Sequence, residues 1–137
     1  MPGVVMGRIL VVLLLLSFGV APAAAENVSK KVRAGRTTTV YSVGWYNRLT
    51  CRPVALPNLK VRKKPKHGNV KFVRLAGRVG AKGGRCEGTT LPAMAVRYTP
   101  SRGYRGNDGF SVSYRRFVYT NRQNQTVSSV TFDIDVK

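Results

Sequence analysis

At the C-terminus, Val130, Phe132, Ile134 and Val136 alternate with Thr131, Asp133 and Asp135. A strand sends successive side chains to opposite faces, so this pattern makes one buried and one wetted surface. The same period returns in Phe110, Val112 and Tyr114 against Ser111, Ser113 and Arg115, and again in Met94, Val96 and Tyr98 against Ala95, Arg97 and Thr99. No segment after residue 25 keeps apolar residues at spacings of three and four for more than two turns, as an amphipathic helix requires. The chain is therefore expected to be all-β. Its 14 Gly, 7 Pro, 6 Tyr and 5 Phe in 137 residues agree, because these residues build turns and aromatic strands in preference to helices.

Turn chemistry divides the alternation into strands. Pro92 and Pro100 bound the Met94 to Tyr98 strand, and Asn121 to Gln125 supply a polar turn between the last two runs, which makes them a hairpin. Leu59 to Arg62 and Val70 to Leu75 flank Pro65-Lys66-His67-Gly68-Asn69 and read as consecutive strands around a turn. From Thr37 to Tyr46 the residues are β-branched and aromatic, yet Val40, Tyr41, Val43 and Trp45 all compete for the core, so the facing stays open. A short opening strand runs from Val28 to Arg33 and ends at Gly35. Ala76 to Gly88 hold five glycines and read as a loop tethered at Cys86. Seven strands in about 110 residues fit a Greek-key β-sandwich.

The first 25 residues are of another kind. A short opening with Arg8 precedes an apolar run from Ile9 to Val20, and Ala21-Pro22-Ala23-Ala24-Ala25 leads into Glu26. As a helix that run reaches about 18 Å, short of the roughly 30 Å hydrocarbon core of a membrane. It reads as a cleaved signal peptide over residues 1–25, with small Ala23 and Ala25 before the cut, followed by one domain over residues 26–137. Met6-Gly7-Arg8 is an equal candidate for the start, since it sets the basic residue directly before the apolar run. The expected address is the periplasm or the cell exterior, with no anchor left after cleavage.

Export leaves 112 residues with 23 basic and 5 acidic side chains, a net +18. A domain of that size buries about two-thirds of its unfolded surface, which leaves little margin against self-repulsion. Cys51 and Cys86 supply a staple: an even pair in an oxidising compartment is most simply one disulfide. Closing such a loop stabilises by about 4 kcal/mol in the chain-entropy model. A reactive thiol served by His67, the only histidine, is the competing idea, but neither Cys sits in a nucleophile motif.

The run Tyr98-Thr99-Pro100-Ser101-Arg102-Gly103-Tyr104-Arg105-Gly106-Asn107-Asp108-Gly109-Phe110 resembles, at every defined position, the Y-x-P-x-x-G-[FY]-x-G-x-D-x-F pattern of bacterial cadherin-like, immunoglobulin-like repeats. Those repeats tend to carry P-x-x-G-x-V upstream, matched by Pro65, Gly68 and Val70, and to close on an alternating strand such as Val130 to Val136. The similarity spans roughly Leu59 to Lys137 and implies an immunoglobulin-like sandwich. Physically, Pro100 stops a strand, Gly103 and Gly106 permit a tight corner, and Asp108 accepts backbone N–H bonds as the next strand begins. Tyr104 and Phe110 then pin the corner to the core. Such a pattern specifies a fold and no reaction.

Catalytic and metal chemistry is poorly supplied. Calcium takes several oxygen ligands, commonly with two or more close carboxylates, and only Asp108, Asp133 and Asp135 lie on strands, amid opposing positive charge. Zinc needs three or four His, Cys or carboxylate ligands, which one His and an oxidised Cys pair do not provide. Glu26 and Glu87, near the new terminus and in a loop, do not make the flanking pair of a glycosidase. Gly77 to Gly84 lacks the GK[ST] ending of a phosphate loop. The expectation is a non-enzymatic protein without cofactor.

Charge is the remaining signal. Lys60, Arg62, Lys63, Lys64 and Lys66 place five cations in seven residues beside a hairpin turn, with Arg48, Arg52, Arg78, Lys82 and Arg85 as further candidates. Cations on an edge strand also block aggregation, but the net charge exceeds the magnitude of about 2 to 8 that solubility uses. The expected partner is an anionic envelope component, whether polysaccharide, lipopolysaccharide phosphate or lipid headgroup, with nucleic acid bound only non-specifically. The alternative is a structural or protein-interaction domain that docks by strand addition or an apolar patch.

Overall fold

The computed structural model describes residues 25–117 and 125–137. Apart from Ala25 the expected signal peptide lies outside the described residues, as does most of the Asn121 to Gln125 turn. Among the described residues the chain forms β1 (Ala25–Val32), β2 (Thr38–Val43), β3 (Leu59–Lys63), β4 (Gly68–Arg78), β5 (Thr90–Pro100), β6 (Gly106–Phe117) and β7 (Gln125–Val136). These make a four-stranded sheet, β1-β7-β6-β3, and a three-stranded sheet, β2-β5-β4. Both sheets contribute to one core. Leu59, Phe110, Val112, Val130, Phe132, Ile134 and Val136 of the first meet Val40, Val96 and Tyr98 of the second. At its centre the rings of Tyr98, Phe110 and Phe132 stack in series, with centroids 5.8 and 4.5 Å apart.

The pairing places the alternation of β6 and β7 in antiparallel register, Phe110 opposite Phe132 and Val112 opposite Val130. β1 runs parallel to β7, from Ala25 opposite Ser129 to Val32 opposite Val136. The undecided stretch from Thr37 to Tyr46 is resolved by a β-bulge. Thr39 pairs with Arg97 and Tyr41 with Val96, so Val40 is the extra residue and is buried, while Tyr41 and Val43 pack half-buried on the same core. A bulge interrupts the period of two, so no single face is readable there.

Three expectations are corrected. Pro92 does not bound β5, because the strand runs through it opposite Ala76. β2 has already ended at Val43, opposite Met94, so this stretch of β5 is paired on one side alone, where a missing N–H is tolerated. Pro65 to Asn69 is not a hairpin turn: β3 and β4 are edge strands of different sheets, and the corner carries the chain between them. Nor is Ala76 to Gly88 one loop. β4 continues to Arg78, and two short 3₁₀ turns over Ala81–Cys86 meet at Gly84, which takes φ 57°.

The Cys51–Cys86 disulfide joins these turns to the segment after Trp45, with Cα atoms 5.4 Å apart. That segment is folded tightly on itself. The Asn47 side-chain oxygen accepts from the amides of Leu49 and Thr50, its carbonyl accepts from the Cys51 amide, and Tyr46 bridges Pro53.

Candidate anion-binding site

Tyr98, Pro100, Gly103, Tyr104, Gly106, Asp108 and Phe110 converge on the corner between β5 and β6, where they hold structure together. Asp108 Oδ1 accepts from the amides of Lys66 (2.9 Å) and Gly109 (2.8 Å), and Oδ2 from the His67 amide (3.0 Å) and Tyr98 Oη (2.7 Å). The Gly109 bond is the local one that strand initiation predicts. The bonds from Lys66 and His67 come from the β3–β4 corner, so one carboxylate ties two corners together. Burial pushes the Asp108 carboxyl up, but the Tyr98 hydroxyl and three backbone amides outweigh it and hold the group below the usual carboxylate range. Burial, reinforced by Asp108, pushes the Tyr98 hydroxyl up.

The corner is close-packed as well as polar. A Cβ on Gly68 would fall 2.6 Å from Tyr98 Oη, so the position admits glycine alone. Gly103 and Gly106 take φ of 75° and 123°, in the region that disfavours side chains. Tyr104 stacks on His67 with centroids 4.1 Å apart and donates to the Asn107 carbonyl. The other carboxylates are dispersed: Glu26 accepts from Tyr41 Oη, and Asp135 pairs with Lys137 at 3.2 Å. Among the described residues no cluster of three or more His, Cys, Asp or Glu is placed to hold a metal.

The cation row is arranged differently. Lys60, Arg62, Lys63, Lys64 and Lys66 are all exposed, and none is ion-paired among the described residues. Leu59 packs in the core opposite Tyr114, so Lys60, opposite Ser113, faces outward. A second bulge between Val61 and Lys63 makes Arg62 the extra residue, and Lys60 and Arg62 line a cleft of about 310 Å³ together with Arg115, Ser113 and Val127. Lys64 and Lys66 lie beyond β3, in the corner that Asp108 fastens.

Three of the remaining basic candidates lie in another cleft, while Arg52 and Arg85 directly neighbour the bridged Cys51 and Cys86 in sequence. Arg48, Arg78 and Lys82 line a separate cleft of about 470 Å³ on the outward face of the β2-β5-β4 sheet. Its floor is nearly bare backbone at Gly44, Gly77 and Ala93, and the 3₁₀ turns form one wall. A Cβ on Gly44 would lie 2.9 Å from the Pro92 carbonyl, and one on Gly77 3.2 Å from Ala93 Cβ. The Gly77 to Gly84 run, read as a loop without function, thus builds a wall of the larger cleft. Sequence reasoning missed the cleft because register, Leu75 opposite Ala93 and Gly77 opposite Leu91, brings its floor together from distant segments.

Fold and surface define an all-β protein of two sheets, stapled by one disulfide and carrying two separate cationic clefts. No family model matches the chain, and no curated protein matches it. Among solved structures, the solution structure of amebosin is 11% identical, with 85% of this chain and 100% of that chain covered and a TM-score of 0.44. An endo-fucoidan hydrolase from glycoside hydrolase family 107 is 11% identical over 82% of this chain and 13% of its own, with a TM-score of 0.33. Likenesses this distant carry no argument about function.

Proposed function

We propose that this protein is an exported, non-catalytic module of immunoglobulin-like fold that attaches electrostatically to an anionic component of the cell envelope. The observation that carries this reading is the exposed row from Lys60 to Lys66, from which Lys60 and Arg62 converge with Arg115 on one cleft, in a chain of net charge +19. Sheets ordered β1-β7-β6-β3 and β2-β5-β4, with sequential neighbours only at β4-β5 and β6-β7, support the Greek-key and cadherin-like reading. The apolar run from Ile9 to Val20 before Ala23 and Ala25 supports export.

The test is retention on heparin and on anionic vesicles as salt rises. Retention falls steeply between about 50 and 300 mM salt, because each bound cation displaces counterions. The triple variant K60S/R62S/K63S lowers the slope of log affinity against log salt by about 3, one for each cation removed. Absent or salt-indifferent binding rejects the proposal. One observation favours a second reading, a protein-interaction domain that docks by strand addition. β4 pairs with β5 over an unbroken register from Gly68 to Arg78 and leaves its other edge without a partner strand among the described residues. A stoichiometric protein partner retained at high salt supports that alternative.

A further inference from the structure

Resting on the envelope-polyanion reading, we infer that the outward face of the β2-β5-β4 sheet is a subsite for an acidic oligosaccharide. Its sugar rings lie on the floor of Gly44, Gly77 and Ala93. Its carboxylate, or sulfate- or phosphate-ester, oxygens meet Arg48, Arg78 and Lys82 at one end and Lys71 and Arg97 at the other.

Strand parity fixes the face. Val96 and Tyr98 of β5 enter the core, so Leu91, Ala93, Ala95 and Arg97 turn away from it, beside Val73, Leu75 and Lys71 of β4. Cations therefore stand at both ends of an apolar strip in which Val73 and Leu75 are half-buried and Ala93 and Ala95 lie covered beneath them. From Arg97 to Leu91 the strip measures about 20 Å at the usual rise of a strand. Lys71 lies directly opposite Arg97, and like charges so placed repel unless an anion sits between them. At the other end Arg48, Arg78 and Lys82 are exposed, and no lining residue of the cleft is acidic.

The spacing selects an elongated ligand over a single ion. One phosphate reaches one cationic end, whereas a chain of acidic sugars seats a ring in the cleft over Gly44 and Gly77 and carries a further anion past half-buried Val73 and Leu75 to Lys71 and Arg97. Ser42 and Tyr46 supply hydroxyls at the cleft for the sugar's own hydroxyl groups. Arginine suits carboxylate and phosphate-type oxyanions through its planar fork of donors. The cleft is within the range of about 300 to 1,000 Å³ of small-ligand sites. It is also pre-formed, since a disulfide anchors its wall at Cys86, which is fully buried, and backbone packs tightly at Gly44.

The experiment is calorimetric titration with a size-defined heparin hexasaccharide and, as a ringless anion, tripolyphosphate. Ser42→Trp fills the cleft from an exposed position opposite Ala95 and keeps every charge. It weakens the hexasaccharide about tenfold or more and leaves tripolyphosphate unchanged. R78S/K82S weakens both probes, and K60S/R62S/K63S weakens the hexasaccharide less than Ser42→Trp does. Ser42→Phe is the substitute should the tryptophan variant unfold. Hexasaccharide affinity unchanged in the blocked variant overturns the subsite while the envelope reading stands. Equal loss for both probes overturns the assignment to carbohydrate. If the native protein binds neither probe, the subsite falls, and the envelope reading falls with it only if retention on anionic vesicles is absent as well.

Discussion

Asp108 is the residue on which the most structure depends. Replacing it by alanine leaves the amides of Lys66, His67 and Gly109 without this acceptor and the Tyr98 hydroxyl with only the longer bond, 3.3 Å, to the His67 carbonyl. The expected loss is about 1 to 3 kcal/mol in urea denaturation at neutral pH, the range for removing a charged acceptor from a partly buried hydrogen-bond network. The pH dependence follows from the sign of the shift. The folded carboxyl titrates below its usual range, so its contribution is complete above the unfolded value of about 3.9 and is lost as pH falls through the folded value. Tyr98 and Tyr41 are shifted the other way, so what they contribute is complete below about pH 10 and is lost as pH rises. The gap between native protein and Asp108→Ala therefore narrows at pH 3, and an equal gap at pH 3 and 7 contradicts the assignment. Sequence made half of this corner legible. The spacing of Tyr98, Gly103, Gly106, Asp108 and Phe110 marks a tight corner at a strand start, but nothing local marks the Lys66 and His67 amides, which tertiary folding delivers.

Among elements, the disulfide matters most, because it fixes the 3₁₀ turns against the Trp45 segment. C51A/C86A is expected to lose about 4 kcal/mol through loop-closure entropy. For a domain of this size that lowers Tm by about 15 to 30 °C in a thermal scan, and a fall of only a few degrees contradicts the expectation. Cys51 also takes φ 55°, a left-handed conformation that costs a non-glycine residue about 1 kcal/mol, so the link holds a turn the backbone resists. Strand count and pairing partners such as β6 with β7 were readable because alternation and turn residues agree. The failures share one cause. The bulges at Val40 and Arg62, the continuation of β5 through Pro92 and the crossover at Pro65 to Asn69 depend on which strand lies alongside, and that is not encoded locally. The larger cleft stayed hidden for the same reason, since glycines that read as flexibility in a line of text become a floor once β2, β4 and β5 are aligned.

At the scale of the molecule, charge dominates. A net +19 over 137 residues opposes compaction. Stability is expected to rise as salt increases from about 10 to 150 mM and screens the self-repulsion. A bound polyanion at 100 times its dissociation constant adds about 2.7 kcal/mol. Thermal scans across salt and heparin concentration measure both, and a Tm insensitive to either contradicts the picture of a surface waiting for counter-charge. The parallel union of β1 with β7 has a mechanical side. Residue 25 enters at one end of that ladder, beside Ser129, while Lys137 leaves at the other, bonded to Val32 and Ala34. Tension drawn between these two points pulls the strands past each other in shear, so the rungs from Ala25 to Val32 resist together instead of opening one by one.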